Sequence, residues 1–193
     1  MIKYVKKNNV VMDFLLSRRS NSAQSLVEPI PNFQDIDKIL SAAARTPDHG
    51  KLVPWRFLVL EKKTMPKLAQ KIHEIGVSKR IDNDKLKKNA NTFLNAPLII
   101  AVVFSPKSSK KVPLIEQHLS AGAVCLALLN AALADGWGAN WLTGWMSRDK
   151  AFLQSALCLK EGEFVAGFIH LGTPKVSPIE RERPNINEIT EWL

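Results

Sequence analysis

Only two cysteines and one tyrosine occur in 193 residues, and there is no Cys-x-x-Cys, Gly-x-Gly-x-x-Gly, Gly-x-Ser-x-Gly or Walker-type phosphate loop. Each absence removes a class. Cys125 and Cys158 lie in separate apolar segments, which excludes a disulfide scaffold or zinc ribbon and makes both thiols small buried hydrophobes of a reducing compartment. The four histidines, His49, His73, His118 and His170, fall at unrelated spacings, so no metal site is expected. His73 and His118 read as surface or helix-end residues and His170 as a strand residue. The N-terminal MIKYVKKNNVVMDFLL lacks the continuous apolar core and small-residue cleavage site of a secretory signal, so a cytoplasmic protein is the expectation. The most hydrophobic long stretch, LSAGAVCLALLNAALADGWG, contains Asn130 and Asp135. It reads as the buried centre of a fold or of a subunit interface, not as a membrane span.

What is present suits one soluble globular domain over residues 1–193, with 46% hydrophobic and 23% charged residues. Twenty-seven Lys and Arg against 18 Asp and Glu leave a net charge of +9, which fits nucleic acid, a membrane surface or an anionic small molecule. The lysine runs at 79–88 and 107–111 interleave with Asp82, Asp84 and serines and carry no aromatics for stacking bases, so they read as solvated surface. Apolar spacing predicts helices over 10–19, 33–45, 64–75, 84–94 and 116–135, and one opened by Ser147 in SRDKAFLQSAL. WRFLVLE, PLIIAVVF, GANWLTG and EFVAGFIHLGTP read as strands, and 173–184 as an extended tail that must dock. The irregular order of helices and strands argues for an α+β sheet layered with helices.

Two places concentrate cations. LSRRSNSAQSLVEPIP sets Arg18, Arg19 and Ser20 at a helix end, where they either favour the negative end of the macrodipole or form a phosphate cradle. The loop AARTPDHGKLVPWRF sets Arg45, Asp48, His49 and Lys51 between prolines ahead of a strand, where they either close a turn or present donors to a ligand.

In order along the chain come RRS, EPIP, AxxARTPDH, PWRFLV, APLII, a long alanine-rich helix, DGWGANWLTG and LGTP. This series resembles the nitroreductase family of FMN-dependent oxidoreductases, and within it the small YdjA-like branch. The resemblance implies an α+β fold with a central mixed sheet flanked by helices, and a homodimer with FMN at the subunit interface. It implies hydride passing from NADH or NADPH to flavin N5 and on to a nitroaromatic, a quinone or another small electrophile. No protein acid or base is required, because the cofactor carries the chemistry. Neither nucleic acid nor a membrane is an expected partner.

Carried over by position, the FMN contacts are Arg18, Arg19 and Ser20 for phosphate and ribityl chain, then Arg45, His49, Trp141, Leu142 and Thr143. Arg181 and Arg183 of the tail join the phosphate. Ala131, Ala132, Leu133, Ala134, Asp135 and Gly136 correspond to a nicotinamide nucleotide contact. Larger family members place amide side chains before the Pro-Trp, where this sequence has Lys51, Leu52 and Val53. Arg45 or Lys51 then becomes the cation expected to stabilise the anionic reduced flavin. Three alternatives stay open: a flavin-binding storage or regulatory protein without turnover, a basic nucleic-acid-binding protein, and a related fold that consumes flavin or removes halogens.

Overall fold

Seven consecutive apolar residues without polar alternation require cover on both faces of a strand. Leu98–Phe104 receives it, every residue being buried in the computed structural model, which describes residues 6–193. Residues 1–5 of the expected domain, and the start of the segment read for a secretory signal, lie outside the described residues.

The strands are β1 (Leu26–Val27), β2 (Trp55–Glu61), β3 (Leu98–Phe104), β4 (Gly138–Leu142) and β5 (Phe164–Pro174). β3 lies between β2 and β5, with Trp55 opposite Phe104 at one end and Glu61 opposite Leu98 at the other. The far edge of β5 is shared, β4 pairing through Gly138 and Gly172 and β1 through Leu26 and Pro174. The expected α+β layering is found, but the sheet expected to be mixed is antiparallel at all four described pairings. The connections explain this. Between β2 and β3 the chain runs out along one helix and back along a second, re-entering at the end it left. The single-helix crossover joins β3 to β4, which run the same way but are separated by β5.

The helices are α1 (Asn9–Ser17), α2 (Phe33–Ala43), α3 (Met65–Ser78), α4 (Asn83–Leu94), α5 (Leu114–Ala134) and α6 (Lys150–Leu157), and all but α1, which buries none of its residues, supply core residues against the sheet. Met65, Leu68, Ile72, Leu86, Phe93 and Phe152 of α3, α4 and α6 fill one face with Phe168. Ile39 and Ala43 of α2 and Val124, Cys125 and Leu128 of α5 fill the other. α5 is the one described helix long and apolar enough to span a membrane, and its core side is buried against β3 and β5.

Three expectations are corrected. α6 is capped by Asp149, whose carboxylate accepts from Phe152 N at 2.9 Å, while the Ser147 hydroxyl donates to Gly144 O at 2.7 Å. Cys125 is buried, its thiol pushed up to about 12 by desolvation, but Cys158 is exposed where α6 ends in a left-handed residue. His118 is half-buried, its ring 4.4 Å from that of Phe104, instead of lying on the surface. His170 sits on β5 as expected, buried with neither ring nitrogen hydrogen-bonded.

Arg56 of β2 forks onto Glu163 just before β5, Nε to Oε1 at 2.9 Å and Nη2 to Oε2 at 2.8 Å, spanning the intervening β3. These bonds hold the Glu163 carboxyl down at about 2. A depressed carboxylate stabilises the fold above its unfolded value and loses that contribution as pH falls through the folded one. Replacing Arg56 with Met is expected to cost about 1–3 kcal/mol at neutral pH. In urea titrations its deficit against the parent chain should shrink between about pH 4.5 and 2. At the other end, a Cβ on Gly172 would lie 2.7 Å from Val27 O and 2.8 Å from Pro97 Cγ. Gly172→Ala is therefore expected to lower stability by about 1–3 kcal/mol, read as a lower urea midpoint at unchanged slope.

Candidate functional site

Asn8 starts α1, its side chain accepting from Val11 N at 3.2 Å, and the helix stops at Ser17. Arg18 closes it with a backbone bond to Phe14 O at 2.8 Å and then turns extended at ψ 139. Arg18, Arg19 and Ser20 therefore lie beyond the last turn, where a macrodipole role loses its geometry. What holds them is Asn21, a buried residue that the sequence reading did not single out. Its N–H donates to Ala139 O at 3.0 Å, its Oδ1 accepts from Ala139 N at 3.3 Å, and its carbonyl accepts from Asn140 Nδ2. This pins the segment against β4.

The tail folds back over the same place. Arg19 Nη1 donates to Pro178 O at 2.8 Å, and its Nε lies 3.6 Å from Glu180 Oε2. Glu180 Oε1 also accepts from Arg183 Nη2 at 3.1 Å and from the backbone N–H of Arg181 at 2.9 Å. Arg18 Nη2 reaches Ser20 Oγ at 3.2 Å, but its buried Nε has no partner. Burial, and then the like charge of Arg183, push Arg18 below the usual arginine value. The structure thus gathers Arg18, Arg19, Ser20 and Arg183, with Arg181 contributing its backbone.

Trp141 packs into the α5 side of the core and donates Nε1–H to Ala166 O at 3.2 Å. Leu142 and Thr143 line a pocket of about 260 Å³ with Lys88, Asn89, Thr92 and Phe93 of α4. The indole N–H of Trp145, close by in sequence, is buried without an acceptor.

The second cation cluster is a strained loop. Gly50, Lys51 and Val53 have φ of +72°, +54° and +49°, and a β-branched residue in that region is a true outlier. Asp48 holds the turn, its Oδ2 accepting from Val53 N at 2.7 Å and its carbonyl from Lys51 N at 3.1 Å. The Ser120 hydroxyl of α5 donates to Pro47 O at 2.9 Å and accepts from Trp55 Nε1 at 3.2 Å. His49 Nδ1 lies 2.6 Å from Glu116 Oε2, beside an open pocket of about 300 Å³. Arg45 and Lys51 are exposed.

Ala131–Gly136 forms the end of α5. Trp137 N bonds Ala132 O at 3.0 Å and Gly136 N bonds Leu133 O at 3.2 Å, a Schellman closure with Gly136 at φ +89°. Ala132 is buried, and Asp135 is ion-paired with Lys38 of α2. Among the described residues no cluster of His, Cys, Asp or Glu is placed to hold a metal.

One chain does not unite the two cation clusters. Arg18–Ser20 is anchored at Ala139, level with Leu171 and Leu98, whereas the 45–53 loop is anchored through Ser120 to Trp55, level with Phe104. Six residue-to-residue steps along β3 separate these levels, roughly 20 Å. Asn21, Glu116 and Glu180 were missed because their partners lie 118, 67 and 161 residues away, beyond any local spacing rule.

Residues 15–173 match the sequence model of the Nitroreductase family. "Putative NAD(P)H nitroreductase YdjA" of Escherichia coli is 33% identical over 165 residues, covering 86% of this chain and 88% of that protein. In structure, a nitroreductase-like family protein from Bacillus cereus superposes with a TM-score of 0.76 at 20% identity, covering 100% and 98% of the two chains. A Bacteroides fragilis nitroreductase with bound FMN gives 0.74 at 20% identity, covering 96% and 100%. Motif order, sheet topology and these likenesses agree, and the chain belongs to the nitroreductase family.

Proposed function

We propose that the chain is an FMN-dependent NAD(P)H oxidoreductase, working as a homodimer in the cytoplasm and reducing a small electrophile such as a nitroaromatic or quinone. The observation that carries the reading is the unsatisfied Arg18, whose buried Nε lacks an acceptor while Arg183 presses a second positive charge upon it. Such an arrangement fits a dianionic group, since guanidinium forks and a hydroxyl match phosphate oxygens. Arg18, Arg19 and Ser20 would hold the phosphate and ribityl chain, with Arg181 and Arg183 closing over them. When bound, the isoalloxazine supplies two-electron exchange between nicotinamide and acceptor. Trp141, Leu142 and Thr143 would lie along it. Of Ala131–Gly136, the exposed Ala134 and Gly136 remain open to a nicotinamide nucleotide.

A second chain completes this reading. α1 buries none of its residues, Val10 and Leu16 being 79% and 76% exposed, and on α5 Ile115 and Leu119 are 61% and 66% exposed. These apolar faces fit a two-fold partner, which would bring its 45–53 loop, some 20 Å away in its own chain, to this cradle. Arg45 or Lys51 would then stabilise the anionic reduced flavin, and His49 would join the contacts.

The decisive experiment is the visible spectrum of the purified protein followed by anaerobic addition of NADH and NADPH, with bleaching of the visible flavin band expected; flavin that stays oxidised would indicate a storage protein. Arg19→Ala is expected to weaken FMN binding about tenfold in fluorescence titrations, through loss of a charge-assisted contact. Equal affinity would remove the cradle. Arg45→Met or Lys51→Met should lower the flavin reduction potential, and no shift in either variant would withdraw that role.

A further inference from the structure

His49 of the 45–53 loop, a flavin contact in the proposed function, is paired with a residue of α5 that has no role there, Glu116. His49 Nδ1 and Glu116 Oε2 are 2.6 Å apart, within hydrogen-bond distance, although the two side chains are 61% and 42% exposed. A pair so open to water contributes little to folding. Yet two independent features hold it in register. The loop, with positive φ at Gly50, Lys51 and Val53, is held by Asp48, and α5 is tied to that loop through Ser120 and Pro47, one turn beyond Glu116. Conformational strain of this kind persists where a function requires it. The flanking surface is the apolar face of α5, with Leu114, Ile115 and Leu119 exposed, so a second copy seated there would take the pair out of water and strengthen it.

We propose that Glu116 is a positioning residue for His49: by engaging Nδ1 it fixes the ring and leaves Nε2 as the nitrogen available to the cofactor held by the second chain. The inference rests on the FMN-bound homodimer reading. Among the described residues Nε2 has no hydrogen bond of its own. With Nδ1–H given to the carboxylate, the neutral ring offers Nε2 as acceptor and the protonated ring offers it as donor, with Glu116 as the counter-charge in the second case. Either way, orientation is set by α5 and not by the loop alone. Glu116 is also the acidic residue in the first turn of α5, where a carboxylate favours the helix start without any partner. The experiment separates that local effect from positioning.

FMN affinity is measured by flavin fluorescence on the purified full chain, its Glu116→Gln, Glu116→Asp and His49→Gln variants and the Glu116/His49 double variant. In parallel, ring nitrogen shifts of His49 are recorded without FMN. Glu116→Gln and His49→Gln are each expected to weaken FMN binding about three- to tenfold, and the double variant no more than His49→Gln alone. Glu116→Asp should recover most of the loss. The His49 ring in the parent chain should show a protonated Nδ1, and Glu116→Gln should move that signal. Unchanged affinity in Glu116→Gln, a loss equally large in the His49→Gln background, or an unmoved ring signal overturns the inference while FMN uptake by the parent chain keeps the reading. A parent chain that takes up no FMN overturns both.

Discussion

Three strands meet where Gly138 faces Gly172, and everything that positions the cation cradle depends on that close crossing. A Cβ on Gly138 would lie 2.6 Å from Leu26 Cδ2 and 3.0 Å from Gly172 O. With hydrogen in those places, β1 and β4 both reach the same edge of β5, and Asn21 reaches Ala139 one residue along. The bonds of Asn21 imitate a strand partner and deliver Arg18, Arg19 and Ser20 to the sheet without a helix or turn to carry them. The segment proposed to bind phosphate is thus an extension of sheet pairing, with loop freedom removed.

The electrostatics of the cradle are one-sided by construction. Glu180 offsets Arg19 and Arg183, but Arg18 keeps a desolvated Nε with no acceptor and a like charge nearby. A buried polar group without a partner costs about 1–3 kcal/mol, and the folded chain carries that cost locally. Elsewhere the same chain satisfies its charges well. Glu163 takes both arms of Arg56 and the backbone N–H of Lys160, and Asp149 takes Phe152 N and Lys79. Pairs are completed in the scaffold and left incomplete at the proposed cradle, the contrast on which the proposed ligand role of Arg18 rests.

Long elements were legible because their signal is periodic. Leu98–Phe104, Trp55–Glu61 and Leu114–Ala134 have runs or faces that burial alone explains, and their ends move by one or two residues only. Short-range polar choices were not. Asp149 and Ser147 both offer an oxygen before α6, and only the backbone path selects Asp149. Two-residue β1 has no period to read, and antiparallel pairing depends on the helix pair between β2 and β3, a matter of geometry and not of composition. At the site, residue types were visible as a concentration of arginines, while Asn21, Glu116 and Glu180 became visible only once remote segments were adjacent.

The separation of the two cation clusters along one sheet has a thermodynamic corollary. No rotamer change brings Arg45 or His49 to Arg18 across roughly 20 Å, so a small ligand that touches both groups must link its own chemical potential to association of two chains. Dilution would then empty the pocket, and saturating ligand would in turn hold the protomers together by the same free energy, because linkage is reciprocal.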